Sequence, residues 1–192
     1  MHENSRNSQR WNVKTLVFMA LFVALDLVVG RLLSIDLGPY RISFGSVVLI
    51  LSGLWLGPVA GGICGFGADI IGCFMKGYTV NPLITLAAVM WGVIPALMKG
   101  LFSSSEKAKN KRIAWLSVSV VLTGALSSLV TTTAGLVLIL GYNFYAIMPG
   151  RLVQFVIMMP LYCVLTCLLY FSPLTSMIAG NIASPVLKNK TV

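Results

Sequence analysis

Histidine and acidic side chains are the scarcest chemistry in this chain. The one histidine, His2, stands in a polar terminus, so no imidazole base or histidine metal cluster can be assembled. Five carboxylates in 192 residues leave little for acid–base work, and only Asp26 and Asp69 fall within apolar stretches. No Walker A sequence occurs, which excludes ATP hydrolysis by this chain alone. No CxxC occurs either. The four cysteines, Cys64, Cys73, Cys163 and Cys167, all lie in apolar segments and read as buried, inert thiols. An internal repeat is also missing, so the inverted-repeat plan of many secondary transporters has no support.

Charge is scarce as well, at 10% of residues against 57% hydrophobic, and the mean hydropathy is +0.91. Such a chain belongs in lipid. A helical crossing takes ~20 apolar residues, so the length allows about six crossings and no separate soluble domain. The expected fold is an all-α integral membrane protein, a single membrane domain over residues 1–192. Its six spans are expected at residues 13–29, 42–56, 59–74, 83–98, within 113–140, and 149–171. Residues 1–12 form a cytoplasmic tail, 103–112 a cytoplasmic loop, and 172–192 a semi-apolar tail. The first apolar run shows no small-residue cleavage pattern and reads as a span that also directs insertion. Spans two to four are short for a bilayer, which points to a cavity opening outward, capped by the loops before the second and fourth spans.

The net charge of +9 does not indicate nucleic acid, because the positive residues flank apolar spans. Arg6, Arg10, Lys14, Lys99, Lys107, Lys109, Lys111, Arg112, Lys188 and Lys190 fall on one side, which places both termini in the cytoplasm. Arg31, Arg41, Lys76 and Arg151 fall in the alternate, outer loops, where one carboxylate, Asp36, faces them. That surplus implies an anionic small molecule, and the planar guanidinium fork suits a carboxylate.

Asp69 is the most informative single residue. At ~100° per residue, Gly62, Gly65, Asp69 and Gly72 fall within an arc of about 80° on the third span, so Asp69 faces protein or cavity. A charge in mid-membrane marks a functional site by default; the alternative is an ion pair with Arg31 or Arg41. Asp26, nearer the outer end of the first span, is expected to pair with Arg31 or Arg151. Arg151 follows Pro149-Gly150 and is expected at the start of the sixth span, with Gln154 one turn later on the same face. Trp91, deep in the fourth span, either stacks on a flat ring or packs in the core. Gly65-Phe66-Gly67-Ala68-Asp69 departs from the GxGD of intramembrane aspartyl proteases by the interposed alanine, and no catalytic residue, cofactor or metal is assigned.

The Ala20/Ala24 pair, Arg31-Leu32-Leu33-Ser34-Ile35 and Leu37-Gly38-Pro39-Tyr40-Arg41-Ile42-Ser43-Phe44-Gly45 form one set of motifs. The Gly61–Gly72 stretch with Asp69, the Asn81-Pro82 to Pro95 segment and Pro149-Gly150-Arg151-Leu152 complete it. Together they resemble the substrate-binding S component of energy-coupling factor (ECF) vitamin transporters, specifically the folate type. The resemblance implies a six-helix S-component fold in a bacterial plasma membrane that binds folate from outside. It implies as partners a transmembrane coupling protein, contacted by Ala20 and Ala24, and two cytoplasmic ATPases. It also implies that the loops after the first and third helices gate the pocket. Within that frame Asp69 is expected to meet the paired donors of a pterin ring, Arg41 and Arg151 the two carboxylates of the glutamate tail, and Arg31 either end. The competing readings are an S component for another vitamin, such as riboflavin or thiamine, and a membrane protein that transports nothing.

Overall fold

A computed structural model describes residues 13–37, 40–102, 109–173, 175, 177 and 178. The expected N-terminal tail, most of the 103–112 loop and most of the C-terminal tail lie outside the described residues. The first helix, α1 (Val13–Leu27), continues through a π-helical turn, Val28–Leu32. A two-stranded antiparallel hairpin follows, β1 (Ile35–Leu37) and β2 (Tyr40–Ile42), with Asp36 opposite Arg41 in register. Next come α2 (Gly45–Leu56), α3 (Pro58–Lys76) and α4 (Pro82–Leu97). One short turn, α5 (Lys99–Phe102), precedes α6 (Lys109–Gly124). A longer π-helical stretch, Ala125–Thr132, carries α6 into α7 (Thr133–Leu138). The last described helix of the bundle is α8 (Phe144–Tyr170).

Four of these helical runs are long and apolar enough to cross a bilayer: Val13–Leu32, Pro58–Lys76, Asn110–Leu138 and Phe144–Tyr170. Two shorter apolar helices, α2 and α4, complete a set of six. The third expected span is therefore not short, because glycine-rich α3 runs unbroken for 19 residues. The fourth matches in place, and the second is shorter still, since residues 42–44 belong to the hairpin and its exit. The charged residues Lys109–Arg112 are helical rather than loop. The hairpin itself is an addition to the all-α expectation.

Helix α2 spans only about 18 Å. It is tolerated because it lies in the middle of the bundle: ten of its 12 residues are buried. Backbone meets backbone around it. A Cβ on Gly53 would land on the Gly92 carbonyl, one on Gly61 would come within 2.5 Å of the Gly53 Cα, and one on Gly92 would strike the Gly61 carbonyl. Three glycines, one each from α2, α3 and α4, thus bring those helices closer than any side chain permits. Two buried hydroxyls are satisfied by carbonyls: the Ser52 hydroxyl donates to the Leu49 carbonyl at 2.7 Å, and the Ser127 hydroxyl to the Ala87 carbonyl at 2.8 Å. The outward surfaces are apolar, with Leu16, Val17 and Leu21 exposed on α1 and Val153, Val156 and Ile157 on α8, as a lipid-facing bundle requires.

Turn chemistry sets the joints. Gly57 adopts φ 99 between α2 and α3, a conformation open to glycine, and Pro58 then starts α3 at a position needing no amide donor. Asn81 caps α4 by accepting from the Leu83 amide at 3.0 Å, while its side-chain amide donates to the Gly135 carbonyl at 2.9 Å. One side chain therefore ties the entry of α4 to α7.

Candidate functional site

The hollow lies where Arg31, Arg41 and Arg151 converge, and Lys76 does not line it. Its empty volume is about 910 Å³, open mouth included. All six residues singled out for substrate binding line it: Arg31, Arg41, Asp69, Trp91, Arg151 and Gln154. Its walls come from α1 and its π-helical turn, the hairpin exit, α2, α3, α4, the Ala125–Thr132 stretch and α8. A site built from nearly every element uses the bundle as a rigid frame.

Arg31 and Asp69 face each other across the wall. Arg31 Nη2 donates to Asp69 Oδ1 at 2.6 Å, and the Thr85 hydroxyl donates to Asp69 Oδ2 at 2.8 Å. Both carboxylate oxygens thus accept from protein donors. The Arg31 guanidinium lies across Gly72, where a Cβ would strike it. The glycine stripe predicted on the Asp69 face of α3 is where this arginine passes, so the ion-pair alternative is present and forms part of the hollow. With both partners buried, the pair holds only because its hydrogen bonds are made.

Arg41 reaches back along the chain. Its side chain donates to the Gly30 carbonyl, and to the Ser34 hydroxyl at 3.4 Å. The Gln154 amide donates to the Arg41 carbonyl, so the predicted Arg151–Gln154 polar pair is split: Gln154 fastens the hairpin. Two tyrosines do the same. Tyr162 donates to the Ser43 carbonyl at 2.6 Å, and Tyr40 to the Ile147 carbonyl at 3.5 Å with its ring packed on Gly150. The Lys76 ammonium donates to Ser34 at 3.0 Å, linking the end of α3 to the start of the hairpin.

Arg151 differs from the other two arginines. It is 6% exposed, and its Nε and Nη1 are buried with no acceptor among the described residues. It does not open its helix: α8 begins at Phe144, capped by the Asn143 side chain accepting from Tyr145 at 3.0 Å, so Arg151 stands in the third turn. The case for an anion at Arg151 rests on its burial instead. A buried guanidinium with unused donors is costly until a bidentate anion arrives.

The floor is apolar. Trp91 is buried, edge-on to Tyr162 with ring centroids 5.8 Å apart and planes at 89°. Met159 joins them, and both Met159 and Trp91 sit where a Cβ on Gly124 would go. Sequence reasoning missed Tyr162, the hydroxyls of Ser43 and Ser46, and Ser128 and Thr132 on the π-helical stretch. The run Ser127, Ser128, Thr131, Thr132 and Thr133 inside an apolar span was the available signal. Asp26 also lines the hollow and pairs with neither Arg31 nor Arg151. Among the described residues no cluster of three or more metal-ligating side chains occurs.

Comparison with known proteins gives the same direction. Residues 14–170 match the family described as ECF transporter, substrate-specific component. The chain is 32% identical over 154 residues to the folate transporter FolT of Clostridium novyi (strain NT), covering 79% of this chain and 85% of that protein. Its fold matches a crystal structure of FolT bound with folic acid at a TM-score of 0.68 and 26% identity, covering 83% of this chain and 93% of that one.

Proposed function

The chain belongs to the substrate-specific components of ECF transporters and is a multi-pass membrane protein, and we propose that it captures folate outside the cell and delivers it through an energising module. The observation that carries this reading is Arg151, a buried guanidinium with unused donors in a hollow floored by Trp91. Folate offers the matching pair of features, a flat heterocycle and a tail with two carboxylates. Arg151 binds a tail carboxylate bidentately, and Arg41 serves the second near the mouth. Trp91 backs the ring, Asp69 holds Arg31 at the wall, and Gln154 keeps the hairpin over the ligand.

Positive residues on one side set both termini in the cytoplasm, which turns the mouth outward. The energy comes from partners, a transmembrane coupling protein and two cytoplasmic ATPases. Ala20 and Ala24 fit the contact with the coupling protein: both are exposed, one helical turn apart on α1, and small residues there admit a close helix. Ala24→Trp should abolish copurification of the coupling protein and ATPases from membranes; an unchanged yield of the complex removes this assignment.

Titration of the purified protein with folic acid, riboflavin and thiamine, followed by tryptophan fluorescence, tests the reading. Folic acid alone is expected to change the emission, and Trp91→Phe to diminish that change. A response to riboflavin or thiamine instead makes this an S component for another vitamin. No response to any of them removes the transport reading.

A further inference from the structure

The hollow holds two carboxylates, and they are occupied differently. Asp69 accepts from Arg31 and Thr85. Asp26 is 6% exposed, lines the same hollow, and accepts no hydrogen bond among the described residues. Two glycines make room for it: a Cβ on Gly45 would lie 2.5 Å from Asp26 Oδ1, and one on Gly30 3.3 Å from the same atom. Gly45 opens α2, whose first-turn amides favour an anion. Arg31 and Arg41 lie within electrostatic reach of Asp26, but Arg31 donates to Asp69, and Arg41 donates to the Gly30 carbonyl and Ser34. The Asp26 carboxylate is thus open to donors from a ligand in the hollow.

We propose that Asp26 is the residue that reads the heterocyclic end of the ligand. Its two oxygens accept side by side from a ring N–H and the neighbouring exocyclic amino group, the donor pair of a 2-amino-4-oxo heterocycle. The inference rests on the folate reading. It moves ring recognition from Asp69, the acid that sequence alone selects, to the acid whose acceptors are open. Asp69 becomes a positioning residue that fixes Arg31. The hollow is then sorted by polarity, with a donor-hungry site at Asp26 and an acceptor-hungry site at Arg151. A ligand with an amino-bearing ring at one end and carboxylates at the other satisfies both.

The test compares folic acid with 2-deaminofolic acid, which lacks the amino group, on the wild-type protein and on Asp26→Asn, by equilibrium titration. Wild type is expected to prefer folic acid by about 30-fold, the order expected for an unpaired charge-assisted hydrogen bond. Asp26→Asn should reduce that preference to within about 3-fold, chiefly by losing folic acid. A purely structural Asp26 predicts that both ligands weaken together, with the preference intact, and that outcome overturns the proposal. Equal binding of the two ligands by wild type overturns it with no variant needed, so a poorly folding Asp26→Asn does not shield it. Such a result leaves folate binding itself in place, whereas failure of wild type to bind folic acid removes both readings.

Discussion

Arg151→Met is expected to raise the melting temperature of the ligand-free protein while removing most of its stabilisation by folic acid. The two halves come from one cause. The Arg151 guanidinium is buried with Nε and Nη1 unsatisfied, so the free protein carries a desolvated charge, and replacing it with an apolar chain of similar length relieves that cost. On the proposed reading, ligand binding converts the same donors into charge-assisted bonds to a carboxylate. Truncating one partner of such a buried pair costs about 2–5 kcal/mol, roughly 30- to 1,000-fold or more in affinity. Arg151→Lys should not restore binding, because a single ammonium cannot span both carboxylate oxygens. Arg151→Ala should weaken folate more than pterin alone, and an equal loss for both contradicts a tail-binding role. Thermal melting with and without folic acid measures both halves. A variant that is less stable when free, yet fully stabilised by folic acid, contradicts the assignment.

The second large effect lies at the glycine contact of α2, α3 and α4. Gly53→Ala should destabilise the bundle by about 3 kcal/mol or more, the upper end for overpacking. The added methyl meets the Gly92 carbonyl, and a carbonyl fixed in a helix cannot rotate away as a side chain would. Separating α2 from α4 also shifts Trp91, the residue before Gly92, so folate affinity should fall with stability. An unchanged melting temperature in detergent would falsify the close approach. Gly77, whose ideal Cβ meets nothing within 4 Å, should show no comparable clash, although its φ of 67 makes any side chain there a strain on the backbone.

Much of this arrangement is legible in the sequence, for identifiable reasons. Apolar runs bounded by Gly-Pro or Asn-Pro mark helix ends because the backbone chemistry is local, and α3 and α4 start where those pairs stand. Asp69 and its glycines fall on one face by helical periodicity alone. Partnership is another matter. Arg31 and Asp69 are separated by 38 residues, and periodicity gives a direction without naming what lies there. Proximity in sequence suggests that Asp26 pairs with a nearby arginine; in the structure it lines the hollow unpaired, which on the proposed reading leaves it for the ligand. Pro149-Gly150 suggests a helix start at Arg151, yet α8 continues through both Pro149 and Pro160. A proline inside a membrane helix removes one hydrogen bond and is tolerated there. The hairpin left no periodic signal, because three residues per strand are too few. Its latches, Gln154, Tyr40 and Tyr162, bond to backbone atoms, which sequence does not distinguish.

The most direct measurement is a structure of the protein with folic acid bound. The account predicts a glutamate carboxylate within hydrogen-bond distance of the Arg151 guanidinium, with the heterocycle lodged beside Asp26 and Trp91. Folic acid bound outside this hollow, or inside it with Arg151 still lacking an acceptor, would contradict it.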